Sequence, residues 1–323
     1  MAPASLFEPP VSPLRDRLTR KLSALAAQEI FIGTSSWKYE GWLGSIYTED
    51  RYITRGKLSK KKFEESCIAE YGEVFPIVCG DFAFYQFPSV AFWEKLFTTA
   101  PRTLRWAFKV PEEITVKQWP GHARYGARAG MENENFLNAD LFNGAFLRAL
   151  EPYRDRVSLC IFEFGTMSKK TMPDLAHFLN RLNLFLSELP PGWRFAVEIR
   201  NPEYLEADYF SCLRSYNVAN VLNAWTRMPE LKTQLTFEDI FTADFMAVRA
   251  LLKYGRTYEQ AVKSFEPYER VQEENPAARD ALRAILDRAK RIKQPAFVFV
   301  NNRLEGNAPG TIDAITEEPG AEI

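Results

Sequence analysis

Eight apolar runs recur along the chain, rich in β-branched and aromatic residues: Ile30 to Thr34, Val74 to Cys79, Leu104 to Val110, Val157 to Phe162, Arg194 to Ile199, Val218 to Leu222, Phe245 to Ala250 and Ala296 to Val300. Between them the apolar spacing changes to the three-and-four step of a helix, over Ser59 to Tyr71, Ser89 to Thr99, Phe136 to Leu150, Asp174 to Leu189, Glu203 to Ser215 and Ala277 to Lys293. The sixth connection, Met228 to Asp244, reads as irregular or weakly helical. Near-continuous apolar strands alternating with amphipathic helices predict a parallel sheet covered by helices. Eight βα units in order is the count for a closed TIM-type (β/α)8 barrel in a single α/β domain. The rival, an open doubly wound sheet, lacks its glycine fingerprint, because GTSSWKYEG after the first run is not GxGxxG.

Polar residues gather at the downstream ends of these runs. Ala107 precedes Lys109, Ala196 precedes Glu198 and then Arg200, and Ala247 precedes Arg249. Residues two apart in a strand share a face, so each charge continues a face that was apolar and small one step earlier. A packed barrel interior opening onto a polar C-terminal mouth has this signature. Asp81 and Glu163 fall at corresponding ends of the second and fourth runs, and Asn301 and Asn302 follow the eighth, leading into a turn-rich stretch with Gly306, Asn307, Pro309 and Gly310.

Two chemistries fit these residues. As a working site, Glu198 is a general base, Lys109 or Arg249 stabilises an oxyanion, and Arg200 grips an anion. Asp81 and Glu163 supply further carboxylates, Asn301 and Asn302 read hydroxyls, and Trp37 and Tyr85 offer ring faces for stacking. Arg256, just past the seventh run, is a further anion contact, with Thr257 able to cap the next helix. As a structural site, the same charges pair with one another and close the barrel top.

Two connections exceed what a barrel needs. Ser35 to Ser59 follows the first strand, and Pro111 to Asn135, carrying KQWPGHARYGARAGMENEN, follows the third. Loops of that length are usually functional or disordered, and the second, with Trp119, Tyr125, Arg124 and three glycines, is expected to be a lid over the mouth. The first 28 residues read as an arm and an amphipathic helix from about Pro13 to Ala27, residues 29–316 as the barrel domain, and 317–323 as a flexible tail.

Bulk properties narrow the field. A composition 46% hydrophobic and 26% charged suits a folded body with a large core, and 41 basic against 42 acidic residues gives no global pull toward nucleic acid or membrane. The densest basic stretch, Arg51 to Lys62, reads as a solvated loop and helix start. Neither a secretory apolar stretch nor a membrane-length span is evident. Four cysteines without CxxC spacing suit reduced thiols in the cytoplasm, and only two histidines, His122 and His177, argue against histidine-rich zinc chemistry; no cofactor is indicated.

FIGTSSWKYEGW, DFAFYQFP, WAFKVPEEIT, FAVEIRNPEY, AVRALLKYGRTYE and FVFVNNRLEGNAP, in that order over residues 30 to 312, resemble the YecE-like family, domain of unknown function 72. The resemblance implies a TIM barrel distantly similar in shape to endonuclease IV and xylose isomerase, and implies no established activity. The chain departs from the family pattern in having Cys79 where glutamate is common, Asp81 where asparagine is common, and no histidine after Arg249. Three functions follow as expectations: conversion of a small anionic sugar or sugar phosphate by carboxylate acid/base chemistry, phosphodiester processing of nucleic acid with Mg or Mn held by Asp81, Glu163 and Glu198, and non-catalytic binding of a metabolite.

Overall fold

The computed structural model describes residues 12–317; the expected arm over 1–11 and tail over 318–323 lie outside the described residues. Eight parallel strands close into a barrel: β1 Ile30–Thr34, β2 Ile77–Gly80, β3 Arg105–Lys109, β4 Val157–Phe164, β5 Phe195–Ile199, β6 Ala219–Ala224, β7 Met246–Ala250 and β8 Ala296–Val300. They pair in sequence order, and β8 closes on β1 through a register running from Ile30 opposite Ala296 to Thr34 opposite Val300. The fold is therefore the TIM-type (β/α)8 barrel expected from the strand count. Among the described residues no helix is long and apolar enough to cross a membrane.

Side-chain parity divides the core in two. Ile77, Cys79, Ala107, Leu159, Ile161, Ala196, Val221, Ala247 and Phe299 belong to one buried cluster inside the barrel. The opposite parity packs with the helices in a larger cluster that includes Val78, Phe108, Phe162, Val197 and Val298. Small residues fill much of the interior because eight strands leave room only for interlocking side chains. Parallel strands buried on both faces account for the unbroken apolar runs.

Three boundaries differ from expectation. β2 begins at Ile77 rather than Val74, because Pro76 has no amide to donate to a ladder and the chain turns before it. β4 runs on to Phe164, carrying Glu163 inside the sheet opposite Glu198, where cations from neighbouring strands compensate it. The stretch after β8 is not only turns: Asn307 accepts a bond from the Gly310 amide and caps a helix over Ala308–Ile315, with Pro309 in its first turn. Thr257 and Gln260 likewise form a reciprocal capping box that starts the helix Tyr258–Phe265.

The N-terminal helix Pro13–Ala26 buries Leu18, Leu22 and Leu25, and its Arg17 and Lys21 both reach Asp313 of the last helix, at 2.7 and 2.8 Å. It is thus packed on the barrel. At the β1–β2 seam, Gly33 lies on the inward parity, and a Cβ built there would stand 1.9 Å from the carbonyl oxygen of Ile77. Backbone cannot rotate aside as a side chain can, so Gly33→Ala is expected to cost at least about 1–3 kcal/mol; an unchanged midpoint in urea unfolding would contradict this packing.

Candidate functional site

The residues that continue the inward parity past the apolar interior meet in one layer at the C-terminal mouth. Asp81 follows β2, Lys109 ends β3, Glu163 lies near the end of β4, Glu198 on β5 with Arg200 just after it, Asn223 on β6, and Arg249 on β7. Register places Glu163 beside Glu198 and Asn223 beside Arg249. The sheet itself therefore assembles the cluster from residues distant in sequence.

Six of these side chains form one charge network. Glu163 Oε2 meets Arg249 Nη1 at 2.6 Å, Arg200 Nη2 at 2.9 Å and Lys109 Nζ at 3.0 Å. The same Arg249 Nη1 also donates to Glu198 Oε2, while Arg200 bonds Glu198 Oε1 at 3.1 Å through Nη2. Arg249 Nη2 lies 3.5 Å from Asp81 Oδ1. Lys109, Arg200 and Arg249 thus balance Asp81, Glu163 and Glu198, three charges against three, so the three cations do not form the bare anion trap that their spacing allowed. Glu198 is fully buried and Arg249 is 2% exposed, whereas the Asp81 side chain is 33% exposed and is the most open carboxylate of the set.

Ionisation follows from this packing. Burial works to raise the Glu163 pKa, but the fields of Arg200, Lys109 and Arg249 outweigh it and hold the carboxyl well below the ordinary range. For Arg249, burial opposes the charge, and Glu198 and Glu163 overcome it, pushing the pKa well above its usual value. Burial pushes the Cys79 thiol, beneath the network, up to about 12, which removes it as a nucleophile at neutral pH.

Aromatic rings back two of the cations. The Arg200 guanidinium lies 3.8 Å from the centroid of Trp225, and Lys109 Nζ lies 3.7 Å from that of Phe84. Trp225, Phe84, Asn223 and Ser35 were not singled out from sequence. Asn223 carried a readable signal, since it stands two residues beyond inward-facing Val221. Four buried atoms of this layer have no hydrogen-bond partner in the protein: Ser35 Oγ, Asp81 Oδ1, Asn223 Oδ1 and Arg249 Nε.

The remaining candidates lie elsewhere or have structural partners. Asn301 Oδ1 accepts from the Arg303 amide at 3.0 Å and Asn302 Oδ1 from the Ala308 amide at 2.7 Å, so both acceptors tie down the loop after β8. Arg256 is outside the network and pairs with Glu273, as does Lys253 at 2.8 Å. Trp37 is buried edge-on against Trp106 and Phe82. Tyr85 is 58% exposed beneath the Arg124 guanidinium. Arg124 belongs to the 111–135 loop, which folds on itself: Glu112 receives Arg124 at 2.8 Å and the Tyr125 hydroxyl at 2.9 Å, and Arg128 lies over Trp119.

The carboxylates Asp81, Glu163 and Glu198 do not converge as a metal-ligand set. Among the described residues no three His, Cys, Asp or Glu groups do. Glu163 and Glu198 are instead bridged by a guanidinium, which occupies the oxygens a divalent ion would need.

Removing one charge from this network leaves its buried partners uncompensated. Glu163→Gln is expected to destabilise the fold by about 3–5 kcal/mol near neutral pH. Because the folded-state pKa is depressed, that stabilisation is present above the unfolded glutamate value of about 4.3 and is lost as pH falls toward the folded one. In urea unfolding the gap between wild type and variant is therefore expected to hold constant through neutral pH and to narrow below about pH 4.5; a gap independent of pH would contradict the assignment.

Comparison with known proteins agrees with the architecture. The family model described as "Protein of unknown function DUF72" matches residues 31–322. A DUF72 family protein from Thermotoga maritima is similar in structure, with a TM-score of 0.56 and 19% identity over 88% of this chain and 96% of that one. Another from Enterococcus faecalis has a TM-score of 0.55 and 14% identity, over 89% and 93% of the two chains. No curated protein matches the sequence. At these identities the structural likeness speaks for the fold alone, and the extent of the family match assigns the chain to the DUF72 family.

Proposed function

We propose that the barrel mouth binds a small anionic polyol, such as a sugar acid or a sugar phosphate, and that proton transfer there falls to Asp81. The observation that carries this reading is the group of buried atoms without a hydrogen bond, Ser35 Oγ, Asn223 Oδ1 and Arg249 Nε, around a charge-balanced network that Asp81 Oδ1 joins only at 3.5 Å. A buried polar atom without a partner costs about 1–3 kcal/mol, and a hydroxyl-rich ligand offers donors and acceptors together. The network sums to zero, and attraction for the anionic group is assigned to Arg303 in the loop after β8, whose guanidinium lies over the Tyr258 ring and whose Nε is buried without a hydrogen-bond partner.

Glu198 suits scaffolding better than base catalysis. Arg200 engages its Oε1 and Arg249 its Oε2, and its side chain is fully buried. Asp81 is open to the mouth and adjoins Arg249, which would steady its charge. The 111–135 loop, with glycines at 126 and 130 in the positive-φ region, is its lid. Buried Cys67, Cys79 and Cys160 remain free thiols, in keeping with work in the cytoplasm.

A thermal-shift panel of sugar acids and sugar phosphates tests the reading. Binding ligands are expected to raise the wild-type Tm by mass action, and Arg303→Ala is expected to weaken binding about tenfold. Asp81→Asn should retain binding and lose at least about a hundredfold in turnover. A panel without a single stabilising member, or a shift indifferent to Arg303→Ala, would overturn it.

A further inference from the structure

Beside the mouth, a cleft of about 380 Å³ runs between the helices Lys60–Tyr71 and Val90–Thr99. Phe92 and Leu96, four residues apart on one face of the second helix, form one wall, and Trp37 and Phe82 from the loops after β1 and β2 form another. Asp81 also lines it, so one carboxylate belongs both to the cleft and to the charge network. We infer that this cleft is the second compartment of the same ligand site and takes an aromatic arm carried by the polyol.

Three observations support that occupant. The volume falls in the range of about 300–1,000 Å³ typical of small-molecule sites, and the cleft shares Asp81 with the charge-filled mouth. Three rings line it, beside the charged Lys38, Glu64, Glu65 and Lys95: Phe82 lies 4.9 Å from Phe92 and 6.2 Å from Trp37 between centroids, tilted and edge-on, an arrangement that offers both a face and an edge to a third ring. Phe92 is 40% exposed and Leu96 half-buried, so apolar surface is left uncovered beside a polar site. In addition, the Trp37 indole N–H, in a side chain 6% exposed, has no acceptor in the protein. The ligand class is thus an aryl-substituted anionic polyol, its head at Asp81 and its ring against Phe82 and Phe92.

The inference rests on the proposed mouth site, and the test separates the two. Glucuronate and phenyl glucuronide differ by one aromatic ring, and calorimetric titration compares their affinities for the full chain. The phenyl compound is expected to bind about tenfold or more tightly to wild type, with that advantage falling below about threefold in the Phe92→Ala/Leu96→Gln double variant while glucuronate binding stays unchanged. Equal affinities for wild type, or an advantage undiminished in the variant, would overturn the inference. If neither compound binds, the mouth reading has failed for this head group, and the apolar dye anilinonaphthalene sulfonate decides the cleft alone. Saturable binding of one dye per chain, weakened about tenfold or more in the double variant, upholds the cleft; absent or undiminished dye binding overturns it. Circular dichroism and the Tm of the variant confirm that it is folded.

Discussion

Arg249 governs the top of this barrel. Its guanidinium is 2% exposed and joins Glu163, Glu198 and Asp81, which come from three other strands or their ends. A charge this deep is tolerable only with opposite charges in contact, and two carboxylates buried side by side are tolerable only with a cation between them. Each group is thus a condition for the others. The planar guanidinium suits the task because it donates in several fixed directions at once, which a lysine ammonium at the same point does not.

The two ends of the barrel handle cations differently. At the N-terminal end, Arg105 lies over Phe31, and the exposed Arg194 lies near Phe245 and Phe297, with ring faces as neighbours. At the C-terminal end the cations meet carboxylates as well as rings, as Arg200 does with Glu163, Glu198 and Trp225. The consequence for function is electrostatic. A balanced network exerts little long-range pull but presents a dense, fixed set of local dipoles, which favours a ligand recognised by hydrogen bonding and guided by a few rim charges. The cleft adjoining Asp81 sets apolar surface from Trp37, Phe82, Phe92 and Leu96 beside this polar layer.

Much of this was legible in the sequence because parity in a strand is strict. Ala107 to Lys109, Ala196 to Glu198 and Ala247 to Arg249 each announced an inward face turning from apolar to charged, and the structure gathers those three charges. Mutual pairing of these charges was legible as one of two readings, but the particular partners were not. Nothing in the linear order says that Glu163 continues β4 opposite Glu198, since that register is a tertiary fact and an isolated glutamate at a strand end reads as a terminator. For the same reason the sequence leaves open whether Glu198 is a base and Arg200 an anion grip or whether the two pair with each other. Asn223 is missed because the apolar run stops at Leu222, two residues before the strand's end at Ala224, and Trp225 because an aromatic after a strand is more often core. Asn301, Asn302 and Arg256 have the chemistry of ligand contacts, and local turn and salt-bridge partners engage them in part, while Asn302 Nδ2 and Arg256 Nη1 stay buried without a hydrogen-bond partner.

The claim that the mouth is one interdependent charge unit is tested most directly by a double-mutant cycle on Arg249 and Glu198, read by urea unfolding at neutral pH. Arg249→Met alone leaves Arg200 and Lys109 to balance three carboxylates and is expected to cost about 3–5 kcal/mol, whereas adding Glu198→Met removes the excess negative charge and should recover at least about 2 kcal/mol of that loss. Costs that simply add, within about 0.5 kcal/mol, would show that the two residues do not depend on each other and would contradict the account.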